Sequence, residues 1–209
     1  MRLAKTNLIL SFLLAFLALG AAAHAAPPGP KERIDGVYDE IKKATATAPD
    51  QDAMTAALTS TLDKLMDYEA FAQRTLKETW PKLDKAQRAT FMEKFKQLVV
   101  QVYGRRFKPK TEFEISYRNG GEKLKEDGKH AKVYTTVKGA KVAADVDYSF
   151  ALDGAGDKAV WLVYDFEIDQ VSMALNWRKQ FERIIASDGF DALIAKIDKR
   201  IGTDTDDEE

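Results

Sequence analysis

The segment VAADVDYSFALDGAGDKAVWLVYDFEI, from Val142 to Ile168, decides the fold. Apolar and polar residues alternate along its first half, which is the pattern of an antiparallel strand with one buried face. The glycine-containing run Asp153–Asp157 predicts a turn, and a second alternating run follows it. At about 3.3 Å per residue the first run spans roughly 40 Å, about twice the length of a usual strand. We therefore predict a long hairpin in a sheet that curves.

Two more strands of the same kind precede this hairpin. Their apolar residues are Phe113, Ile115 and Tyr117 in one, and Val133, Thr135 and Val137 in the other. We expect Asn119–Gly121 to form the turn after the first of them, and Gly139 with Ala140 a short connection into the hairpin. The hairpin adds Val142, Ala144, Val146, Tyr148, Phe150 and Leu152 on its first strand, and Val160, Leu162, Tyr164, Phe166 and Ile168 on its second. Together these strands predict one antiparallel sheet with a continuous apolar face.

Amphipathic helices are predicted on both sides of the strands. Apolar residues recur at helical spacing from Ile34 onward, and Asp67 and Asp84 are expected to cap the third and fourth helices. After the strands, Ser172 is expected to cap a helix that Gly189 ends, and a last helix follows. The order predicts a single α+β domain, a curved antiparallel sheet covered by N- and C-terminal helices.

The first 25 residues have the layout of a cleaved secretory signal. Arg2 and Lys5 precede an apolar run of about 12 residues that ends in small residues, whereas a membrane-spanning helix needs roughly 20. A retained anchor or a buried core helix is the alternative. Residues 26–33, rich in proline, are expected to form an extended linker, residues 34–200 the domain, and residues 201–209 a disordered acidic tail.

Composition excludes several kinds of catalytic site. Cysteine is absent, and His24 lies in the signal segment, which leaves His130 as the one histidine of the mature chain. Such a chain cannot build a Cys-His pair or a multi-histidine metal site. Removing the signal takes the formal net charge from −1 to about −3, which argues against a nucleic-acid partner. We expect no metal and no cofactor.

Carboxylate chemistry is the remaining catalytic possibility. Asp145 and Asp147 share the polar face of one strand, where paired carboxylates can perform acid–base work if their pKa values are split. Because that whole face is polar, solvated surface aspartates are the better interpretation. Asp165 and Arg178 flank a strand-to-helix junction, and we expect a structural ion pair there. The sequence therefore predicts a protein that is not an enzyme.

Aromatic residues recur on one face of several predicted elements, and two interpretations remain open: an ordinary filled core, or the wall of a ligand pocket. If a pocket exists, two acyl chains of roughly 30 methylenes need about 25 kcal/mol of shielding from water, which only an enclosed apolar space supplies. Asn176 and Arg178, near the start of the covering helix, are the candidate rim. The candidate lining is Phe95, Val99, Tyr103, Phe113, Ile115, Tyr148, Phe150, Leu162, Tyr164, Phe166, Val171, Met173, Trp177 and Phe181.

The sequence resembles the MlaC, or toluene-tolerance, family over about residues 34 to 200. The resemblance is carried by Trp161–Asp165, Val171–Met173, Asn176, Trp177, Arg178, Gln180, Phe181 and Gly189–Leu193, and upstream by Asp67–Ala72, Leu76, Trp80, Gln87, Phe91, Phe95 and Tyr103. It implies a cone of sheet and helices like that of nuclear transport factor two. It also implies a monomeric periplasmic carrier of phospholipid, whose partners are an outer-membrane lipoprotein complex and an inner-membrane ABC transporter with an MCE-domain subunit.

Two positions depart from the family's pattern. The family commonly has glycine where this chain has Lys77 and Gln170, which affects the geometry before Trp80 and the strand-to-helix junction. A hopanoid-associated carrier of the same family is therefore an alternative. A second alternative is a periplasmic interaction module with a solid core, and a third is a hydrolase that uses Asp165.

Overall fold

The computed structural model describes residues 27–140 and 143–203. The expected signal peptide, Val142 and the acidic residues 204–209 lie outside the described residues. One antiparallel sheet has the strand order β1-β2-β3-β4-β5. Its strands are β1 (Phe113–Leu124), β2 (His130–Gly139), β3 (Ala143–Asp153), β4 (Val160–Ile168) and the short β5 (Val171–Ser172).

Helices precede and follow this sheet, as the sequence predicts. They are α1 (Pro30–Thr47), α2 (Gln51–Leu65), α3 (Tyr68–Leu76), α4 (Lys85–Val99), α5 (Met173–Asp188) and α6 (Phe190–Gly202). The α+β prediction is confirmed by this architecture. In the described part of the chain, none of these helices combines the length and the apolar character needed to cross a membrane.

The helix boundaries follow the predicted caps. The Asp67 carboxylate accepts a hydrogen bond from the Ala70 N–H at 2.9 Å. Asp84 and Gln87 form the reciprocal capping box, and the Ser172 hydroxyl caps α5. These side chains satisfy N–H groups that have no partner within the helix. Gly189, at φ 86°, ends α5 because that backbone conformation is one that glycine adopts without a steric penalty.

The N-terminal linker is shorter than expected. Helix α1 begins at Pro30, so residues 30–33 of the expected linker are helical. Proline is favourable in the first turn of a helix, where its missing N–H needs no partner.

The turn expected at Asn119–Gly121 is wrong, because β1 continues through these residues to Leu124. Tyr117 pairs with Thr135 and Glu122 with Val133, so residues 118–121 face a single residue of β2. Asn119, Gly120 and Gly121 have positive φ values and lie in this bulge, where the extra residues interrupt the regular pairing. The chain reverses later, between Leu124 and His130.

Because of a second bulge, the residues predicted to face inward are wrong for the first half of β4. Ser149 pairs with Asp165 but Phe150 pairs with Val163, which leaves Tyr164 as an extra residue. Because one inserted residue exchanges the two faces, the inward residues before the bulge are Trp161 and Val163. Both are buried, at 7% and 0% exposure. The predicted Leu162 and Tyr164 therefore do not belong to the inward set, whereas Phe166 and Ile168 do.

The two positions that depart from the family pattern have strained backbones. Asp169 and Gln170 form the two-residue turn between β4 and β5, and both have positive φ, 47° and 68°. Lys77, which ends α3, has φ 22°. Glycine adopts such conformations readily and a residue with a Cβ does so at a cost, so the strand-to-helix junction forms with some strain.

Candidate functional site

An apolar cavity of about 270 Å³ lies between the inner face of the sheet and helices α1 and α2. Its described lining is Val37, Tyr38, Ile41, Leu58, Leu62, Leu65, Met66, Val99, Tyr103, Gly104, Arg106, Phe107, Thr111, Phe113, Val137, Gly139, Ala144, Val146, Tyr148, Phe166 and Ile168. Among these residues Arg106 alone is charged, and its side chain is exposed. The interior of the cavity therefore suits hydrocarbon, and its charged residue lies at the surface.

The helical wall follows from the spacing of apolar residues. In α1 the lining residues Val37 and Tyr38 lie four and three residues before Ile41, so the three side chains share one stripe. In α2 the lining residues Leu58, Leu62 and Leu65 do the same. Each stripe faces the sheet, because its apolar side chains are shielded from water there.

The sheet wall is made by alternate residues of β3 and β4. Tyr148 pairs with Phe166 and Val146 with Ile168, so all four side chains share the inner face. This is the part of β4 that follows the bulge, where the alternation read from the sequence holds.

A π-helical turn, Val100–Gly104, extends α4 along the third side of the cavity. Such turns widen the helix and are frequent at functional sites. Gly104 allows a close approach to α2, since a Cβ there would lie 3.3 Å from Leu58 Cδ1. The wide turn presents Tyr103 to the cavity.

Two tyrosine hydroxyls form a hydrogen bond within the apolar lining. The oxygens of Tyr38 and Tyr148 are 2.7 Å apart. Burial raises the pKa of Tyr38 to about 12 and that of Tyr148 well above its usual value. Both groups stay neutral near pH 7, so these two hydroxyls satisfy each other without adding charge to the cavity.

The Tyr103 hydroxyl has a different partner on α5. It accepts a hydrogen bond from Trp177 Nε1 at 3.1 Å. Burial raises the pKa of Tyr103 to about 12. The hydroxyl therefore keeps its proton and links the π-helical turn to the covering helix.

Five of the predicted lining residues line the cavity: Val99, Tyr103, Phe113, Tyr148 and Phe166. Their contact with a ligand stays a prediction. Ile115 and Phe150 pack in the core near it without lining it. Leu162 and Tyr164 were misassigned because of the bulge, and Val171 is 53% exposed.

Four other predicted residues belong to a solid half of the core: Phe95, Met173, Trp177 and Phe181. The rings of Phe91 and Phe95 stack at 5.1 Å, and the Phe181 ring lies 6.0 Å from each of them. Such contacts leave no room for a ligand. The interpretation as a filled core therefore holds for this cluster, whereas the cavity lies elsewhere in the interior, between the sheet and helices α1 and α2.

The predicted rim is wrong for this cavity. Arg178 lies on α5, where its Nε donates to the Arg74 carbonyl at 2.8 Å. Asn176 is exposed on the same helix and does not line the cavity. The mouth is marked instead by Arg106, together with Thr111 and Gly139. Neither Arg106 nor the apolar stripe of α2 was among the residues predicted for the pocket.

Asp165 lies on β4, and its carboxylate has a structural role in binding the first residues of α5. Its Oδ2 accepts from the Ser172 hydroxyl at 2.6 Å, and its Oδ1 accepts from the Ala174 N–H at 3.1 Å. The cation beside it is Arg74, at 3.6 Å. The ion pair expected with Arg178 is therefore wrong, and the hydrogen bonds of both oxygens assign the carboxylate to the helix N-terminus.

Asp145 and Asp147 lie on the outer face of the sheet in a network of charges. Arg118 pairs with both carboxylates, and its Nε lies 3.1 Å from Asp145 Oδ1. Lys132 bridges Glu167 at 2.8 Å and Asp147 at 3.8 Å. Asp147 is only 8% exposed, and burial raises its pKa despite these cations. The expectation of solvated aspartates thus fails for Asp147, which is itself buried but belongs to an ion-pair network whose other members are partly exposed.

Comparison with known proteins agrees with this geometry. The family model described as MlaC protein matches residues 31–199. Among solved structures, a phospholipid-binding protein from Ralstonia solanacearum, in complex with a phospholipid, matches with a TM-score of 0.72 and 16% sequence identity. The match covers 84% of this chain and 97% of that one, and it shows a common fold. No curated protein matches the sequence significantly. Because the family match spans most of its length, the chain belongs to the MlaC family.

Proposed function

We propose that the protein is a periplasmic phospholipid carrier that holds acyl chains in the cavity between the sheet and helices α1 and α2. The observation that carries this proposal is the cavity itself, with its apolar lining and one charge at the mouth. Membership of the MlaC family and the phospholipid bound to the Ralstonia relative support it. The proposal assigns no catalytic step to the chain.

The energetics of a diffusible carrier fit this arrangement. Burying roughly 30 methylenes gains about 25 kcal/mol at about 0.8 kcal/mol each, which offsets their removal from a bilayer. The cavity of about 270 Å³ lies just below the usual range of ligand pockets, roughly 300 to 1,000 Å³. A diacyl lipid therefore enlarges the space as it enters. We expect the α2 residues Leu58 and Leu62 to move away from the sheet, because they face it across the cavity.

The proposed route runs between an outer-membrane lipoprotein complex and an inner-membrane ABC transporter with an MCE-domain subunit. The expected cleaved signal would deliver the protein, as a monomer, to the compartment between these membranes. Transfer of a fluorescent phospholipid from donor to acceptor vesicles, at a rate proportional to protein concentration, tests the carrier activity. A rate equal to that of vesicles alone would contradict it.

Lipid occupancy is tested by a substitution that fills the cavity. In Leu62→Trp the larger side chain enters the lining, and we expect the phospholipid recovered after denaturing extraction to fall at least fivefold. Leu175→Trp is the matched control, because Leu175 is 43% exposed on α5, outside the cavity. Mass spectrometry of the extract also distinguishes a phospholipid from a hopanoid. An absence of lipid from the unsubstituted protein would favour the interaction module with no ligand.

A further inference from the structure

The segment that follows the π-helical turn carries a strip of positive charge. Arg106, Lys108 and Lys110 form this basic strip, and all three side chains are exposed. In the described part of the chain none of the three forms an ion pair. Two successive turns, closed by hydrogen bonds from the Phe107 and Thr111 N–H groups, keep the strip compact. Because Arg106 lines the cavity, the strip borders its mouth.

Helix α6 ends beside this strip and points toward it. Lys94 pairs with Asp198 at 2.9 Å, and Gln101 Nε2 donates to the Thr203 carbonyl at 3.5 Å. The residue numbers of both partners rise from the first contact to the second, so α6 runs in the same direction as α4 and its π-helical extension. The chain that leaves α6 therefore starts next to the π-helical turn, and Arg106 follows Gln101 by five residues.

The residues that come next are strongly acidic. Residues 204–209, with the sequence DTDDEE, hold five carboxylates in six positions. They follow the C-terminal end of α6, where the helix dipole is negative and carboxylates are unfavourable unless cations lie nearby. Six extended residues reach about 20 Å, whereas five residues of helix span about 7.5 Å. The acidic segment is therefore long enough to reach the basic strip.

We propose that residues 204–209 bind the basic strip as an intramolecular partner and cover it against other anionic surfaces. The carboxylates accept charge-assisted hydrogen bonds from the guanidinium of Arg106 and from the ammonium groups of Lys108 and Lys110. The contact relieves both the repulsion among the three cations and the unfavourable position of the carboxylates at the negative end of α6. Because the strip borders the cavity mouth, another anionic surface has to displace the acidic segment before it meets the mouth.

Zero-length cross-linking with a carbodiimide tests the contact. The reagent joins an ammonium to a carboxylate only when the two groups touch, and peptide mass spectrometry of the monomeric product identifies each pair. We expect links from residues 204–209 to Lys108 and Lys110, with the pair of Lys94 and Asp198 as the internal positive control. At 1 M salt the Debye length falls to about 3 Å, so the yield of the links to the strip should fall severalfold. The control pair should change less, because two packed helices hold it together.

Two single substitutions form a matched pair for the same assay. Arg106→Gln removes one cation of the strip and keeps both lysines that are cross-linked, so their yield should fall about twofold, the size that an exposed charge pair permits. Arg183→Gln removes an exposed arginine of α5 outside the strip and should leave the yield unchanged. Links confined to Lys199, which lies on α6 itself, or a yield that Arg106→Gln does not change, would overturn the contact.

Binding to phosphatidylglycerol vesicles tests whether the acidic segment covers the strip. The neutralised-segment variant is Asp204→Asn/Asp206→Asn/Asp207→Asn/Glu208→Gln/Glu209→Gln. We expect it to co-sediment with the vesicles about threefold more than the unsubstituted protein, since each uncovered cation favours an anionic surface. In a chain that also carries Arg106→Gln/Lys108→Gln/Lys110→Gln, neutralising the segment should have no such effect.

Two results would overturn the covering role. One is equal co-sedimentation of the neutralised-segment variant and the unsubstituted protein. The other is an equal rise with and without the cations of the strip, which would show an effect of net charge alone. Neither the cross-linking nor the sedimentation requires lipid transfer, so their results are independent of the carrier function proposed above.

Discussion

The hydrogen bond between Tyr38 and Tyr148 predicts a strongly non-additive pair of substitutions. The two hydroxyl oxygens are 2.7 Å apart in the lining of an apolar cavity. Replacing either tyrosine by phenylalanine removes one hydroxyl and takes the partner away from the other. Replacing both removes the polar pair altogether and leaves an apolar surface.

The expected magnitudes follow from the cost of an unpaired buried hydroxyl. That cost is about 1–3 kcal/mol, but Thr135 lies within reach of both tyrosines and can accept a replacement bond. We therefore expect each single substitution to lower the free energy of unfolding by about 1–1.5 kcal/mol. The double substitution should cost about the same as one single substitution, which gives a coupling of about 1 kcal/mol.

Urea unfolding of the four proteins, Tyr38→Phe, Tyr148→Phe, the double variant and the unsubstituted chain, measures this cycle. Equal m-values would establish that the midpoints report stability. Additivity of the two single effects within about 0.3 kcal/mol would refute the inference that the hydroxyls depend on each other.

Three further predictions concern backbone strain, pH and the start of α5. Gln170→Gly should raise the free energy of unfolding by about 0.5–1 kcal/mol, because glycine relieves the φ of 68° at some cost in unfolded-chain entropy; a lower melting temperature would contradict this. Above pH 10 the unfolded state releases the Tyr38 proton, whereas the folded state holds it up to about pH 12, so the free energy of unfolding should fall between these pH values. Tyr38→Phe should reduce that fall by up to about 3 kcal/mol. Urea midpoints of the unsubstituted chain that stay the same across this range would count against the prediction. Asp165→Asn should lower the free energy of unfolding by about 2 kcal/mol, since the buried carboxylate accepts from Ser172 and from the Ala174 N–H; an unchanged denaturation midpoint would show that these bonds contribute nothing.

Local sequence signals predicted the starts of α3, α4 and α5, because helix capping depends on residues close together in the sequence. A carboxylate or hydroxyl at a helix start acts within three residues, so Asp67, Asp84 and Ser172 could be identified without knowledge of the fold. The change from helical to alternating spacing likewise placed the sheet between two sets of helices.

The inward face of β4 could not be predicted in the same way. Trp161 and Val163 are as apolar as Leu162 and Tyr164, so either alternate set satisfies the pattern. The choice is made by one inserted residue in the pairing with β3, which depends on contacts between strands. The alternation of apolar and polar residues within a single strand gives no information about such a bulge.

The location of the cavity could not be predicted from the sequence either. Phe95 and Phe166 look alike as buried aromatic residues, yet one packs in the solid cluster and the other lines the hollow. The difference lies in whether facing elements meet, which is decided by the relative placement of α2, the π-helical turn and the sheet. Residue type predicts which side chains are buried, but it does not predict where a cavity remains between them.

A phospholipid that carries a photoreactive group at the end of one acyl chain tests the location of the acyl chains most directly. After loading, irradiation and proteolysis, we expect cross-links to residues of the cavity wall, with Leu58, Leu62, Val146 and Phe166 as the principal sites. Cross-links confined to the aromatic cluster around Phe91, or to exposed residues such as Leu175, would contradict the claim that this cavity holds the acyl chains.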